Sequence, residues 1–353
     1  MNEKQKQKVR EEKMKNFNPN ENGLRNKGIF GLPFEVEESE LVLLPVPWEV
    51  TVSYSVGAGD GPKAILDASL QIDLYDSLYP KGWQDGIAME FISEDLIMKN
   101  KILRTKTEEY LKKYGEDNID KELGKEIDKE CGLLNDFVEE KTTEFLNQNK
   151  IVGVVGGDHS VILGYLKALS KKHNSFGILQ IDAHMDLRKA YEGLEYSHAS
   201  IFYNVFKLSN IKKLVQVGIR DFCEEENNFV KENENRIKIF TDYEIKKNMF
   251  LGSTWEKECD KIIAELPENV YISFDIDGLD PSLCPNTGTP VPGGFKLEEI
   301  IFLFEKILAS GKKIIGFDLC EVAPGKEGKW DGNVGARVLY KLCLLALKSK
   351  FSQ

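Results

Sequence analysis

Apolar residues fall in short continuous runs along this chain rather than in alternation. The runs LVLLPV (41–46), IVGVV (151–155), FGILQI (176–181), KLVQVGI (213–219), VYISF (270–274) and KIIGFDL (313–319) each have the length of a strand. A strand apolar on both sides must be covered on both sides, the condition of a parallel sheet between helical layers. Amphipathic stretches at 161–171, 224–234, 255–265, 297–309 and 333–348 lie between the runs and read as helices. This alternation predicts an α/β fold, a doubly wound, mostly parallel sheet sandwiched between helices.

Two segments depart from the rhythm. Residues 101–148 are dense in charge and poor in proline, and read as one or two mostly exposed helices, a charged helical insertion available for subunit contacts. Residues 1–27 lack the apolar centre of a signal peptide and read as a solvated, mobile arm. No internal repeat or low-complexity linker divides residues 28–353, so a single domain is expected.

Composition narrows the class. The chain has 353 residues, 41% of them apolar, enough for a large core. A net charge of −11 argues against nucleic acid and anionic membrane surfaces as partners, and mildly favours a cationic substrate. Six scattered cysteines (Cys131, Cys223, Cys259, Cys284, Cys320, Cys343), with no CxxC pair, read as reduced thiols of a cytoplasmic protein. No apolar run reaches the length of a membrane span.

The chemistry is expected where parallel strands end, because open parallel sheets bind ligands beyond their carboxyl ends. GGDHS, with His159, follows the run at 151–155, and DAHMDLR follows 176–181. DIDGLDPSLCPNTGTPVPGG, with Asp275 and Asp277, follows 270–274, and CEVAPG, with Glu321, follows 313–319. In extended chain alternate side chains face one way, so Asp182, His184 and Asp186 converge on one point, as do Asp275 and Asp277. With His159 they make two imidazoles and four carboxylates, about what two divalent ions need. Such a crowd would repel itself strongly in a low-dielectric cleft unless cations were bound. Taken singly, each motif has an ordinary reading: a strand's polar lip, a glycine turn with a helix cap, a loop, a strand exit. Their joint placement favours a metal site. Carboxylate-rich donors suit Mn(II) better than zinc, with Ni(II), Fe(II) and Co(II) as alternatives, and a metal pair lowers the pKa of a shared water. Of the four histidines, only His173 lies outside these polar segments and reads as an exposed helix-end residue.

GGDHS, DAHMD, SFDIDGLDPS with GTPVPGG, and DLCEVAP together resemble the ordered signatures of the ureohydrolase family, which includes arginases, agmatinases, formimidoylglutamases and guanidine-type hydrolases. The resemblance covers roughly residues 40–348 and includes GAGDGPKAI (57–65), similar to the family's early substrate loop. It implies a three-layer α/β/α sandwich with about eight strands and two Mn2+ per subunit. By motif position His159, Asp182, Asp186 and Asp275 would hold one ion, and His184, Asp182, Asp275 and Asp277 the other. Glu321 matches the carboxylate that grips the guanidinium group, Asp186 would orient the attacking hydroxide, and His198, in YSHAS, matches a proton shuttle.

DLR…YEG…SH and NTGTPVPGG are most similar to agmatinases, which implies a small cationic guanidino substrate, agmatine, cleaved to putrescine and urea. Arg188 stands where arginases carry Asn, which counts against arginine. The same cation near a substrate tail would welcome a carboxylate, so formimidoylglutamate, guanidino acids and guanidine remain open unless Arg188 turns into an ion pair with Glu192 or Glu195. A two-metal phosphoesterase would want several cations at the strand ends, and only Arg188 qualifies. A non-catalytic assembly subunit is disfavoured by the complete ligand set. The resemblance further implies a homo-oligomer, trimer or hexamer.

Overall fold

The computed structural model describes residues 1–21, 23, 28–116, 119–326 and 329–351. Eight strands form one sheet: β1 (Leu41–Val46), β2 (Ile87–Met89), β3 (Ile151–Gly156), β4 (Phe176–Ile181), β5 (Ile211–Ile219), β6 (Ile237–Thr241), β7 (Asn269–Asp275) and β8 (Lys313–Cys320). Their order is β2-β1-β3-β8-β7-β4-β5-β6, and every pairing is parallel. The six apolar runs are the six central members. The two strands that periodicity misses lie at the edges, where burial does not demand a continuous apolar run: β2 has three residues, and β6 exposes Lys238.

Helices cover both faces. Helices α2 (Gly61–Ser69), α8 (Asp242–Phe250), α9 (Trp255–Ala264), α10 (Leu297–Ala309) and α11 (Trp330–Phe351) contribute to one buried cluster. Helices α3 (Glu94–Lys112), α4 (Lys121–Asn147), α5 (Leu163–Lys172), α6 (Ile201–Phe206) and α7 (Glu224–Glu232) contribute to the other. The result is the expected three-layer sandwich. No helix among the described residues is long and apolar enough to cross a membrane.

Two sequence expectations are corrected. The charged stretch 101–148 does lie in two helices, α3 and α4, but α4 is not a mostly exposed one, because it is a core helix packed on α5. Ile127, Cys131, Leu134, Val138, Phe145 and Leu146 recur at helical spacing and are all buried. The abundance of charge on the other faces hides this stripe from a reading of composition. Residues expected as a mobile arm instead form helix α1 (Glu3–Met14), capped by Asn2. Arg10 donates to the Glu38 carbonyl (2.7 Å) and pairs with Glu40, while Lys13 pairs with Glu38. Glu38 and Glu40 are themselves buried, so α1 supplies the cations that they require. Residues 22 and 24–27 of the same stretch lie outside the described residues.

The register matters most for function. Val155 pairs with Leu319, Leu319 with Phe274, and Phe274 with Ile181. Those four residues form one row across β3, β8, β7 and β4, at the centre of the sheet. Chain order zigzags among these strands, but space makes them neighbours, and the four polar segments emerge side by side.

Candidate metal centre

Each polar segment leaves its strand within a few residues of that row. Asp182 and Asp275 follow Ile181 and Phe274 directly, Glu321 comes two residues after Leu319, and His159 opens a short 3-10 turn, His159–Ile162. Gly157 lets GGDHS press against the neighbouring loop, since a Cβ there would meet the Trp48 carbonyl oxygen at 1.9 Å. Asp186 (φ 53°) and Glu321 (φ 63°) adopt left-handed backbone, which costs of order 1–3 kcal/mol and is tolerated chiefly at functional positions.

Seven of the residues expected at the site converge. His159 Nδ1 lies 3.1 Å from Asp186 Oδ2, 3.2 Å from Asp182 Oδ2 and 3.3 Å from Asp275 Oδ2. His184 Nδ1 lies 3.0 Å from Asp277 Oδ2 and 3.7 Å from Asp182 Oδ1. The two Asp182 oxygens thus face different histidines. Glu321 is buried beside this group, and its Oε1 accepts from the His159 amide (2.9 Å).

The donors fit divalent ions on two grounds. His159 Nδ1 is buried and satisfied by no hydrogen bond, although three carboxylate oxygens surround it. Separations near 3 Å are also those of neighbouring corners of an octahedron with metal–ligand bonds of about 2.1 Å. Two of the donor triads, His159–Asp182–Asp186 and Asp182–His184–Asp277, each bring one atom apiece to a common point.

Electrostatics add a third argument. Burial, then Asp182, pushes the Asp186 carboxyl up to about 7. Burial, then Asp277 and Asp182, raises Asp275 well above the usual carboxylate range. Burial works against the charge of His184, yet Asp277 and Asp182 outweigh it and push that imidazole up to about 12. Asp182 is likewise opposed by burial, but its contacts with His159 and His184 hold it below the usual range. The cluster gathers protons because it is short of positive charge, and cations would supply it.

A supporting layer escapes sequence reasoning. Gln180 Nε2 donates to Asp182 Oδ2 (2.7 Å), and Gln216 Nε2 on β5 donates to Gln180 Oε1 (2.5 Å). His159 Nε2 faces Ser273 Oγ at 2.9 Å and Asp318 Oδ1 at 3.8 Å, and orienting partners of this kind fix a ligating imidazole. The backbone amides of Ala183, His184 and Asp277 donate to Asp277, Asp182 and Asp275 respectively. The available signal was polar residues at alternate positions inside apolar strands, Gln180 and Ser273 above all.

The remaining expected residues line a cleft of about 350 Å3 above the cluster. His198 faces it, its amide donating to Thr51 Oγ1 (3.1 Å) and its ring meeting Tyr191 edge to face. Desolvation, then the charges of His184 and His159, pushes its imidazole down to about 4. Arg188 turns toward Glu226 Oε2 (3.9 Å) and lies over the Tyr191 ring at 4.9 Å, so neither Glu192 nor Glu195 is its partner. Asp221 and Phe222 stand at the rim. His173 ends α5 and does not line the cleft.

Comparison with known proteins agrees with this geometry. The chain is 30% identical over 304 residues to the N(1)-aminopropylagmatine ureohydrolase of Thermus thermophilus, covering 82% of this chain and 85% of that protein. It is 29% identical over 290 residues to an agmatinase of Bacillus cereus, with the same coverage. The solved agmatine ureohydrolase of Thermoplasma volcanium shares the fold, with a TM-score of 0.71, 24% identity and 93% and 97% of the two chains covered. The model of the arginase family matches residues 39–345, a span that takes in every strand and all the converging carboxylates and imidazoles. With that match over most of its length, the chain belongs to the arginase family.

Proposed function

We propose that this protein hydrolyses the guanidino C–N bond of agmatine, releasing urea and putrescine. The observation that carries the reading is the orphaned His159 Nδ1 among three carboxylates, with Glu321 buried beside it at the floor of one cleft. His159, Asp182, Asp186 and Asp275 would hold one divalent ion, and His184, Asp182, Asp275 and Asp277 the other. The donor set suits Mn2+, with Ni2+, Fe2+ or Co2+ as substitutes. Bound metals of this kind supply a water of lowered pKa and offset developing negative charge.

The chain's own groups do the rest. Glu321 offers a carboxylate to the paired N–H donors of the planar guanidinium, a geometry that favours bidentate binding. Asp186, buried and held in left-handed backbone, orients the attacking water and receives its proton. His198, neutral in the free cleft, would take up the proton that Asp186 receives from the water and pass it to the departing amine. Removal of bulk water from the buried floor strengthens each of these interactions.

An amine-tailed substrate is favoured because Arg188 is already turned toward Glu226, and Asp221 adds a carboxylate at the rim. Arg188 and Phe222 both line the cleft, whose volume of about 350 Å3 can take a longer tail such as the aminopropyl group named in the Thermus relative. The manganese-loaded protein is to be assayed with agmatine, N(1)-aminopropylagmatine, arginine, guanidine, guanidino acids and formimidoylglutamate, scoring urea or ammonia and formamide. Urea from the two amine-tailed compounds is expected, and a preference for a carboxylate tail would overturn the substrate assignment. Arg188 is itself 37% exposed and meets buried Glu226 only at 3.9 Å, turned away from a substrate tail, so Arg188→Ala is expected to change the KM for agmatine by no more than about fivefold. A larger rise would place Arg188 on the substrate tail. The six cysteines are free thiols, which suits the cytoplasm. The expected assembly is a trimer or hexamer, which light scattering resolves.

A further inference from the structure

Two helices that carry no site residue reach two of the loops that line the cleft. On α4, the Asp128 carboxylate accepts from the amides of Glu195 (3.1 Å) and Tyr196 (3.2 Å), three and two positions before His198. On α3, Tyr110 donates to the Glu192 carbonyl (3.1 Å) in the same loop. Asn100 Oδ1 accepts from the Glu49 amide (2.8 Å), and Arg104 donates to the carbonyls of Val50 (3.2 Å) and Val52. Those carbonyls flank Thr51, the residue whose Oγ1 accepts from the His198 amide. Thr51 in turn is anchored on buried Asp158, with Oγ1 3.3 Å from Oδ2. His198 is therefore approached from two directions, through its own loop by α4 and through Thr51 by α3.

We propose that the α3–α4 pair is a brace for the cleft, and that Asp128 and Arg104 are positioning residues that hold His198 over the cluster. The proposal rests on the role given to His198 above. It also explains why the segment is so charged yet so firmly packed: α4 buries one face against α5 and spends a carboxylate of another on the amides of a catalytic loop. A loop has few contacts of its own, so a carboxylate that satisfies two of its amides removes much of its freedom.

The test compares Asp128→Ala and Asp128→Asn with Lys125→Ala, an exposed change on the same helix, all loaded with manganese. Hydrogen exchange at the Glu195 and Tyr196 amides is expected to accelerate by tenfold or more in Asp128→Ala, less in Asp128→Asn, and not at all in Lys125→Ala. Bound metal stays at the level of the unmodified protein. Misplacement of a proton donor by a fraction of an ångström to an ångström costs up to about 100-fold, so kcat for urea release from agmatine is expected to fall about 10- to 100-fold. Because Asp128 acts through His198, the Asp128→Ala/His198→Ala double variant should be no slower than His198→Ala alone. Losses that multiply, or unchanged exchange at 195 and 196, would overturn the proposal. If the unmodified protein releases urea from no guanidino compound, the functional reading fails by itself, and exchange alone then decides whether the brace exists.

Discussion

Asp182→Asn is expected to leave a folded protein that has lost its bound metal pair and releases no measurable urea. Asp182 is the carboxylate with one oxygen toward His159 and the other toward His184, at 3.2 and 3.7 Å. The amide keeps the shape but removes the negative charge and turns one acceptor into a donor. That donor would then confront Gln180 Nε2, which now gives its hydrogen to Asp182 Oδ2. Removing one partner of a buried charged cluster costs about 3–5 kcal/mol, and at 1.4 kcal/mol per tenfold the expected loss of metal affinity is about 100- to 1,000-fold or more. Metal analysis after gel filtration, with the urea assay on the same sample, reads both consequences. Retention of two ions per chain with undiminished turnover would remove Asp182 from the centre.

The second large effect is expected at Glu321. Its carboxyl is buried, and burial, followed by Asp158, raises it well above the usual range, although the His159 amide opposes the shift. A guanidinium laid against it would restore the carboxylate by supplying charge and two donors at once. Glu321→Gln keeps the size and the acceptor facing His159 but presents an N–H to the substrate. Loss of a buried, charge-assisted pair is worth about 3–5 kcal/mol, so kcat/KM for agmatine is expected to fall about 100- to 4,000-fold with bound metal unchanged. Full activity in this variant would mean that the guanidinium is held elsewhere.

How much was legible in the sequence depended on how local each signal was. Six mostly apolar runs marked the six central strands, because burial on both faces leaves few polar positions, Gln180, Gln216, Ser273 and Asp318 among them. The edge strands β2 and β6 lacked that constraint and so lacked the pattern. The motif residues could be read because each sits one to five positions beyond the end of an apolar run, and convergence follows once the strands are parallel and adjacent. The adjacency of β3, β8, β7 and β4 was not local, and neither were Gln216 beneath Gln180 nor Glu226 beside Arg188, pairings made by packing between distant segments. Helix α4 failed for another reason. Its apolar stripe repeats at helical spacing, but the charged remainder of the helix dilutes it, and averaging over the segment hid a core element. Helix α1 is held by ion pairs to Glu38 and Glu40, partners that no pattern within residues 1–27 could reveal.

If His159, Asp182, His184, Asp186, Asp275 and Asp277 hold a pair of divalent ions, with Glu321 on the guanidinium, guanidino hydrolysis must depend on both ions. The most direct test strips the protein with a chelator, restores Mn(II) stepwise, and measures metal per chain beside urea released from agmatine. Two-ion hydrolysis requires no release from the stripped protein and a rise that saturates at two ions per chain. Active protein with no bound divalent ion, or release that is complete at one, would contradict it.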